Sequence, residues 1–339
     1  MTSESVAHEL LTVAQAARVA AEATDRERHA ARLIEQAPDV VAAVEHFLET
    51  DPASALQMTA VLAPLWEDAG LVDAGRELTE RAIAAAAGPP SGPLARSLLA
   101  AAELAFRQGD QAAADEYSNR AIEVGRDADD EGAIALAHVN LARIAFRDGD
   151  AARIEEHAHR ALQIGRDDPT ARRGGLHMLA WAAYTAGDVP LAKGRFEESL
   201  ELRREQGDRF AIAAEVANLA DLAAEENNLT EAARRLREAL EIARELQSQY
   251  LMVNLLPSLA AVAARAGDDV SCARLIGANE ALASSSGLIP DPGNWQPVMS
   301  DAAGRLGDRF DTIRAEGAAL DPGAAMELGL AVASAVSEK

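Results

Sequence analysis

Cysteine is all but missing from this sequence: Cys272 stands alone. One thiol closes no intrachain disulfide and builds no cysteine cage for a metal. Aromatic residues are scarce too, at 4% of 339 residues, against 49% for hydrophobic residues as a whole. Strands draw on aromatic and β-branched side chains, so a mixture dominated by Ala and Leu points away from sheet and toward closely packed helices. No uninterrupted apolar stretch reaches the ~18 residues wanted for a membrane span. The longest, LMVNLLPSLAAVAA, is broken by Asn254, Pro257 and Ser258. Cations are in short supply: 32 Lys and Arg face 55 Asp and Glu, for a net charge of −23. That balance speaks against nucleic acid and anionic membrane as direct partners and favours basic or neutral ones. The opening MTSESVAHELLTVAQAARVA has early acidic residues and no cleavable apolar core, so it does not read as a signal peptide. A cytoplasmic location is the expectation.

The motifs of catalysis are missing as well. There is no GxxxxGK[ST] phosphate loop, no HExxH, no GxSxG and no CxxC. Of the seven histidines only EEHAHRA at 155–161 forms a cluster. His157 and His159 are two apart and diverge on a helix, so a solvated outer face is expected there rather than a metal pair. Cys272 falls where a small residue is wanted, which reads as a buried packing thiol. Glu103 and Asp221 could in principle exchange protons, but nothing in their spacing suits a reaction. The expectation is a chain that is not an enzyme and carries no cofactor and no metal.

What is present is repetition. AELAFRQGD at 102–110 and ARIAFRDGD at 142–150 are nearly identical, and AWAAYTAGD closes at Asp188. Turn signals fall at Gly70, Gly109-Asp110, Gly149-Asp150, Gly187-Asp188, Asn227-Asn228 and Gly267-Asp268, spaced by 39, 40, 38, 40 and 40 residues. A helix-period segment with a small residue in it precedes each turn: Leu62-Ala63, Ala101-Ala102, Leu141-Ala142, Leu179-Ala180, Leu219-Ala220, Leu259-Ala260. A second helix follows, with Ala82-Ile83, Ala121-Ile122, Ala161-Leu162, Ser199-Leu200 and Ala239-Leu240 in corresponding places. The small residues let partner helices approach, and Gly or Asn at the turn supplies left-handed backbone. One hairpin cannot bury its apolar face alone, so about six of them are expected to stack around a shared core. Thr230 is expected to cap the helix EAARRLREALEIARELQ, whose Glu231–Arg235 pair marks a solvated face.

This pattern resembles the tetratricopeptide repeat family, although the family's unit is about 34 residues and this one is about a turn and a half of helix longer. The longer repeat is similar to those in the sensor regions of actinobacterial LuxR-type, maltose-regulator-like and STAND-ATPase transcriptional regulators. APDVVAAVEHFLETDPASALQMTAVLAPLWEDAGLVDAGRELTERAIA resembles the stretch joining their ATPase module to the repeats, and CARLIGANEALASSSG and ALDPGAAMELGLAVA resemble their closing helices. The resemblance implies an all-α right-handed α-solenoid of tetratricopeptide-like hairpins, capped at both ends: an N-terminal helical cap at 1–50, a superhelix at 51–286 and a C-terminal cap at 287–339. AAAAGPPSGP at 84–93 breaks helix and is the best hinge, and GLIPDPGNWQP at 287–297 interrupts the period. The C-terminal cap, 287–339, is expected to fold back on the superhelix.

In a solenoid the first helices line the concave binding face. Aligned on the turns, three residues upstream stand Phe106, Phe146 and Tyr184; two upstream, Arg107, Arg147 and Thr185; six upstream, Glu103, Arg143, Trp181 and Asp221; nine upstream, Asn140 and Asn218, with His177 one residue further. Steps of three and four place these residues on one stripe. Two readings compete: aromatic anchors with arginine handles for a carboxylate or phosphate and amides for a peptide backbone, or packing and salt bridges between hairpins. The expected function is recognition of a peptide, protein segment or small effector in this groove, with a regulatory role. A pocket closed by a cap around Trp295, or a scaffold that self-associates as a homodimer, remain as alternatives.

Overall fold

The structure, a computed structural model, describes residues 4–19, 23–291 and 296–338. These residues form helices and short connections and contain no strand. The chain divides into two compact units, residues 1–195 and 196–339.

The first unit opens with α1 (Glu4–Val19), α2 (Ala23–Glu35), α3 (Ala37–Thr50), α4 (Pro52–Thr59), α5 (Ala63–Asp68) and α6 (Val72–Ala85). Helix α7 (Gly92–Arg107) pairs with α8 (Gln111–Asp127), and α9 (Glu131–Arg147) with α10 (Ala151–Ile164); α11 (Pro169–Thr185) is followed by α12 (Val189–Gln206), within which the unit boundary falls. The expected first hairpin is altered. Its leading helix is split into α4 and α5, because Pro64 has no amide to donate back to Ala60 and is accommodated only in the first turn of a new helix.

The second unit holds the hairpins α13 (Arg209–Glu225)/α14 (Leu229–Leu246) and α15 (Gln249–Arg265)/α16 (Asp269–Ser286), then α17 (Gln296–Leu306), a 3₁₀ turn at Gly307–Arg309, α18 (Phe310–Ala318) and α19 (Pro322–Ser337). Helix α18 crosses α16 where Gly277 meets Gly317; a Cβ on Gly277 would come within 1.8 Å of the Arg314 carbonyl oxygen. Helix α19 folds back along α14 and α15, its Gly329 lying against Leu240 and Leu259.

Each Gly-Asp pair performs two tasks. Gly109, Gly149, Gly187 and Gly267 have φ of 79°, 70°, 84° and 85°, and Asn227 takes φ 59° in the same role. That left-handed residue lets the next amide reach back to the helix it has left, as Asp110 N does to the Ala105 carbonyl at 2.9 Å. The Asp then starts the second helix by accepting from its third residue onward, as Asp110 does from Ala113 N at 3.1 Å. The cap of α14 corrects the sequence-based expectation. Asn228, not Thr230, accepts from Glu231 N at 3.3 Å, because the Asn-Asn pair repeats the Gly-Asp device and starts the helix earlier.

Candidate functional site

In the first unit, the stripe residues divide into a buried half and a half-exposed one. Phe106 and Arg107 are each 4% exposed. The guanidinium of Arg147 caps the Phe106 ring, 3.8 Å from its centroid. Arg107 lies 3.2 Å from Glu67 Oε2 on α5 and 3.5 Å from Glu103 Oε1 on its own helix; Arg143 of α9 reaches the same Glu103 oxygen through Nη1 at 2.9 Å. Four alternating charges thus run across three successive first helices. Burial pushes the Glu67 carboxyl up, with the Arg107 charge opposing.

Three aromatic residues, Phe146, Trp181 and Tyr184, pack together on the same stripe. Phe146 and Trp181 are 4.3 Å apart between ring centroids, and Trp181 meets Tyr184 at 5.4 Å with planes at 89°. Trp181 Nε1 donates to His177 Nε2 at 3.0 Å, which fixes both rings. Phe146 and Trp181 also lean on the core formed by Val139, Ala142, Met178 and Ala182. Packing therefore explains Phe106 and Arg107, while Asn140, Arg143, Phe146, Arg147, His177, Trp181 and Tyr184 each keep a partly exposed surface.

The remaining stripe residues lie in the second unit. Asn218 Nδ2 points toward Glu215 Oε2 at 3.4 Å, and Glu215, 1% exposed, also accepts from Ser199 Oγ at 2.6 Å and lies 3.6 Å from Arg203. Asp221 is half-buried. Burial raises its pKa to about 7, the Ser258 hydroxyl bond and Arg265 working against the shift and Glu225 adding to it. Glu103 and Asp221 thus belong to different units.

The sequence reading missed two residues on this stripe. Tyr250 and Asn254 lie 17 and 13 positions before Gly267, continuing the same three- and four-residue steps. Asn254 Oδ1 accepts from the Asp291 amide at 2.7 Å, and the Tyr250 hydroxyl donates to Asp291 Oδ2 at 2.7 Å. Their signal is the stripe itself, carried one turn further upstream to Asn254 and two turns to Tyr250.

Away from the stripe, the histidine expectation needs correction. His159 is exposed beside Glu155 as expected, but His157 is half-buried: its Nδ1 lies 3.2 Å from His138 Nδ1, with the rings stacked across α9 and α10 at 5.4 Å. Burial lowers the His138 pKa to about 4, and the neighbouring His157 and Arg160 lower it further. Cys272 is buried as expected, and burial pushes its thiol up to about 12, which disarms it as a nucleophile. Among the described residues no group of three or more His, Cys, Asp or Glu could hold a metal ion, and no helix is long and apolar enough to cross a membrane. The expected closing residue Trp295 lies outside the described residues.

These features define an all-α protein of stacked tetratricopeptide-like hairpins. No family model and no curated protein matches the chain. Among solved structures it is similar to a Rap protein complexed with Competence and Sporulation Factor, at 15% identity and a TM-score of 0.59, over 93% of this chain and 89% of that one. Also similar are the apo form of RapI, at 15% identity and TM-score 0.48 over 99% of both chains, and the putative kinesin light chain repeats of Podosopora anserina, at 18% identity and TM-score 0.40 over 57% of this chain and 96% of that one.

Proposed function

We propose that this protein is a non-enzymatic recognition module that holds an extended peptide or protein segment on the face built by its first helices. The reading rests on one observation above all. Asn140, Arg143, His177, Trp181 and Tyr184 stand half-exposed on neighbouring first helices of the first unit, whereas Phe106 and Arg107 of the same stripe are buried. The Arg143 side chain is 31% exposed and commits Nη1 to Glu103, which leaves further donors of its fork for a carboxylate or phosphate. Trp181 and Tyr184 supply rigid apolar area, and Asn140 supplies an amide that can both donate to and accept from a backbone. The Rap protein of the same fold was solved with Competence and Sporulation Factor bound, which favours recognition over scaffolding. A regulatory role, exerted on another polypeptide in a cytoplasmic setting, follows the resemblance to the sensor regions of bacterial transcriptional regulators.

The test compares immobilised wild type with the Arg143→Ala, Trp181→Ala, Tyr184→Ala variant, its fold checked by circular dichroism. Each is exposed to a lysate of the source cell, washed and extracted under denaturing conditions. A peptide or protein segment retained by wild type and lost by the variant is the expected result. A non-peptide metabolite with the same behaviour would replace the peptide by a small effector. Equal recovery from both proteins would remove function from this face.

A further inference from the structure

The hairpin α15/α16 ends in a segment that turns back onto the first helix of that hairpin. Gly287, at φ 72°, ends α16 in the left-handed conformation and turns the chain back. Leu288 is then buried to 2% exposure, whereas Ile289 is 37% exposed and Pro290 has no amide to donate. Asp291 makes both polar contacts: its amide donates to Asn254 Oδ1 and its carboxylate accepts from the Tyr250 hydroxyl, each at 2.7 Å. The receiving side is organised for this. Asn254 Nδ2 donates to the Tyr250 carbonyl one turn earlier at 3.0 Å, which fixes the amide plane and turns Oδ1 toward the segment. The Tyr250 ring is stacked on Phe210, the residue at the corresponding place in α13, at 5.6 Å and 25°. An amide that reads a backbone N–H and a hydroxyl that reads a carboxylate, next to a buried aliphatic residue, are the parts of an extended-peptide subsite.

We propose that Leu288–Asp291 is an internal strap occupying a peptide subsite formed by Phe210, Tyr250 and Asn254, and that this subsite accepts an external extended peptide with an aliphatic residue followed, three positions on, by an aspartate. The proposal extends the peptide-recognition reading to the second unit and rests on it for the idea of an external ligand. The strap joins α16 to α17, and α17 itself packs against α15 and α16, so it competes with any free peptide as an intramolecular occupant. A free peptide therefore meets an occupied site, and affinity rises in proportion to the fraction of molecules whose strap has left.

The experiment uses the full chain and a fluorescein-labelled peptide with the sequence of residues 286–291, SGLIPD, followed by polarisation. Asp291→Pro removes the strap's amide donor and its carboxylate together while leaving α15 untouched. This variant is expected to bind the peptide at least about tenfold more tightly than wild type. Adding Asn254→Ala to it should abolish the gain. Asp291→Ala, which keeps the amide, should give a smaller gain and serves if the proline variant does not fold. A folded Asp291→Pro that binds no better than wild type, or a gain that survives Asn254→Ala, would overturn the proposal. Retention lost through Arg143→Ala and its companions, with no strap effect, would leave the first-unit reading standing and remove this one alone.

Discussion

The Arg147 guanidinium lies 3.8 Å above the centre of the Phe106 ring, joining first helices forty residues apart in the chain. The ring is itself 4% exposed and packs with Leu99, Leu141 and Ile144. The contact therefore belongs to repeat-to-repeat cohesion. Phe106→Ala is expected to cost about 3–5 kcal/mol in chemical denaturation, mostly from the cavity left behind. Arg147→Met should cost only about 0.5–1 kcal/mol, the size of a partly exposed cation–π contact.

The His138–His157 stack predicts acid sensitivity. A base with its folded pKa lowered, here to about 4 against an ordinary 6.5, keeps its stabilising contribution above pH 6.5. Between those values the unfolded chain takes up the proton and the folded one resists, so stability falls as pH falls. Arg126, Arg153 and Arg160 add repulsion, with Glu156 and Asp115 offsetting part of it. Urea midpoints measured from pH 7 to pH 4.5 should drop faster for wild type than for His138→Phe; parallel curves would contradict this account.

Asp221 carries the opposite sign. Its folded pKa is raised to about 7, so its contribution is complete below pH 3.8 and is lost as pH rises through 7. Asp221→Asn keeps an acceptor for the Ser258 hydroxyl and cannot ionise. At pH 8 this variant should be more stable than wild type by about 1–2 kcal/mol, the value expected after solvent screening at a half-buried site. At pH 4 the difference should vanish.

The crossing of α16 and α18 tolerates no side chain at its centre. Gly277→Ala places a methyl group 1.8 Å from a backbone oxygen that has no flexible end to swing aside. Thermal unfolding should show a loss of at least about 1–3 kcal/mol. Gly304, with nothing within 4 Å of a built Cβ, is the control expected to accept Ala without loss.

The start of α14 offers a sharp comparison between two neighbouring residues. Asn228→Ala should cost about 1 kcal/mol through its lost cap, whereas Thr230→Ala, inside the helix, should change stability by only a few tenths. The reverse order would restore the cap inferred from sequence.

The sequence by itself determined the hairpins, because their causes are local. A Gly or Asn with positive φ stops one helix and the next Asp or Asn starts another, and such signals recur about every forty residues. It also put Glu103, Arg143 and Trp181 on one stripe, since helical phase is a local property. Tertiary structure alone decided which stripe residues became core and which stayed open. Phe106 and Phe146 hold the same place in their repeats, yet one is buried and the other only half so, because burial depends on what the next hairpin brings. The same holds for contacts distant in sequence: His138 against His157, Glu67 beneath Arg107, and Asp291 seated on Tyr250 and Asn254. Periodicity encodes the phase of a helix but not the neighbour it meets, and the site is made of neighbours.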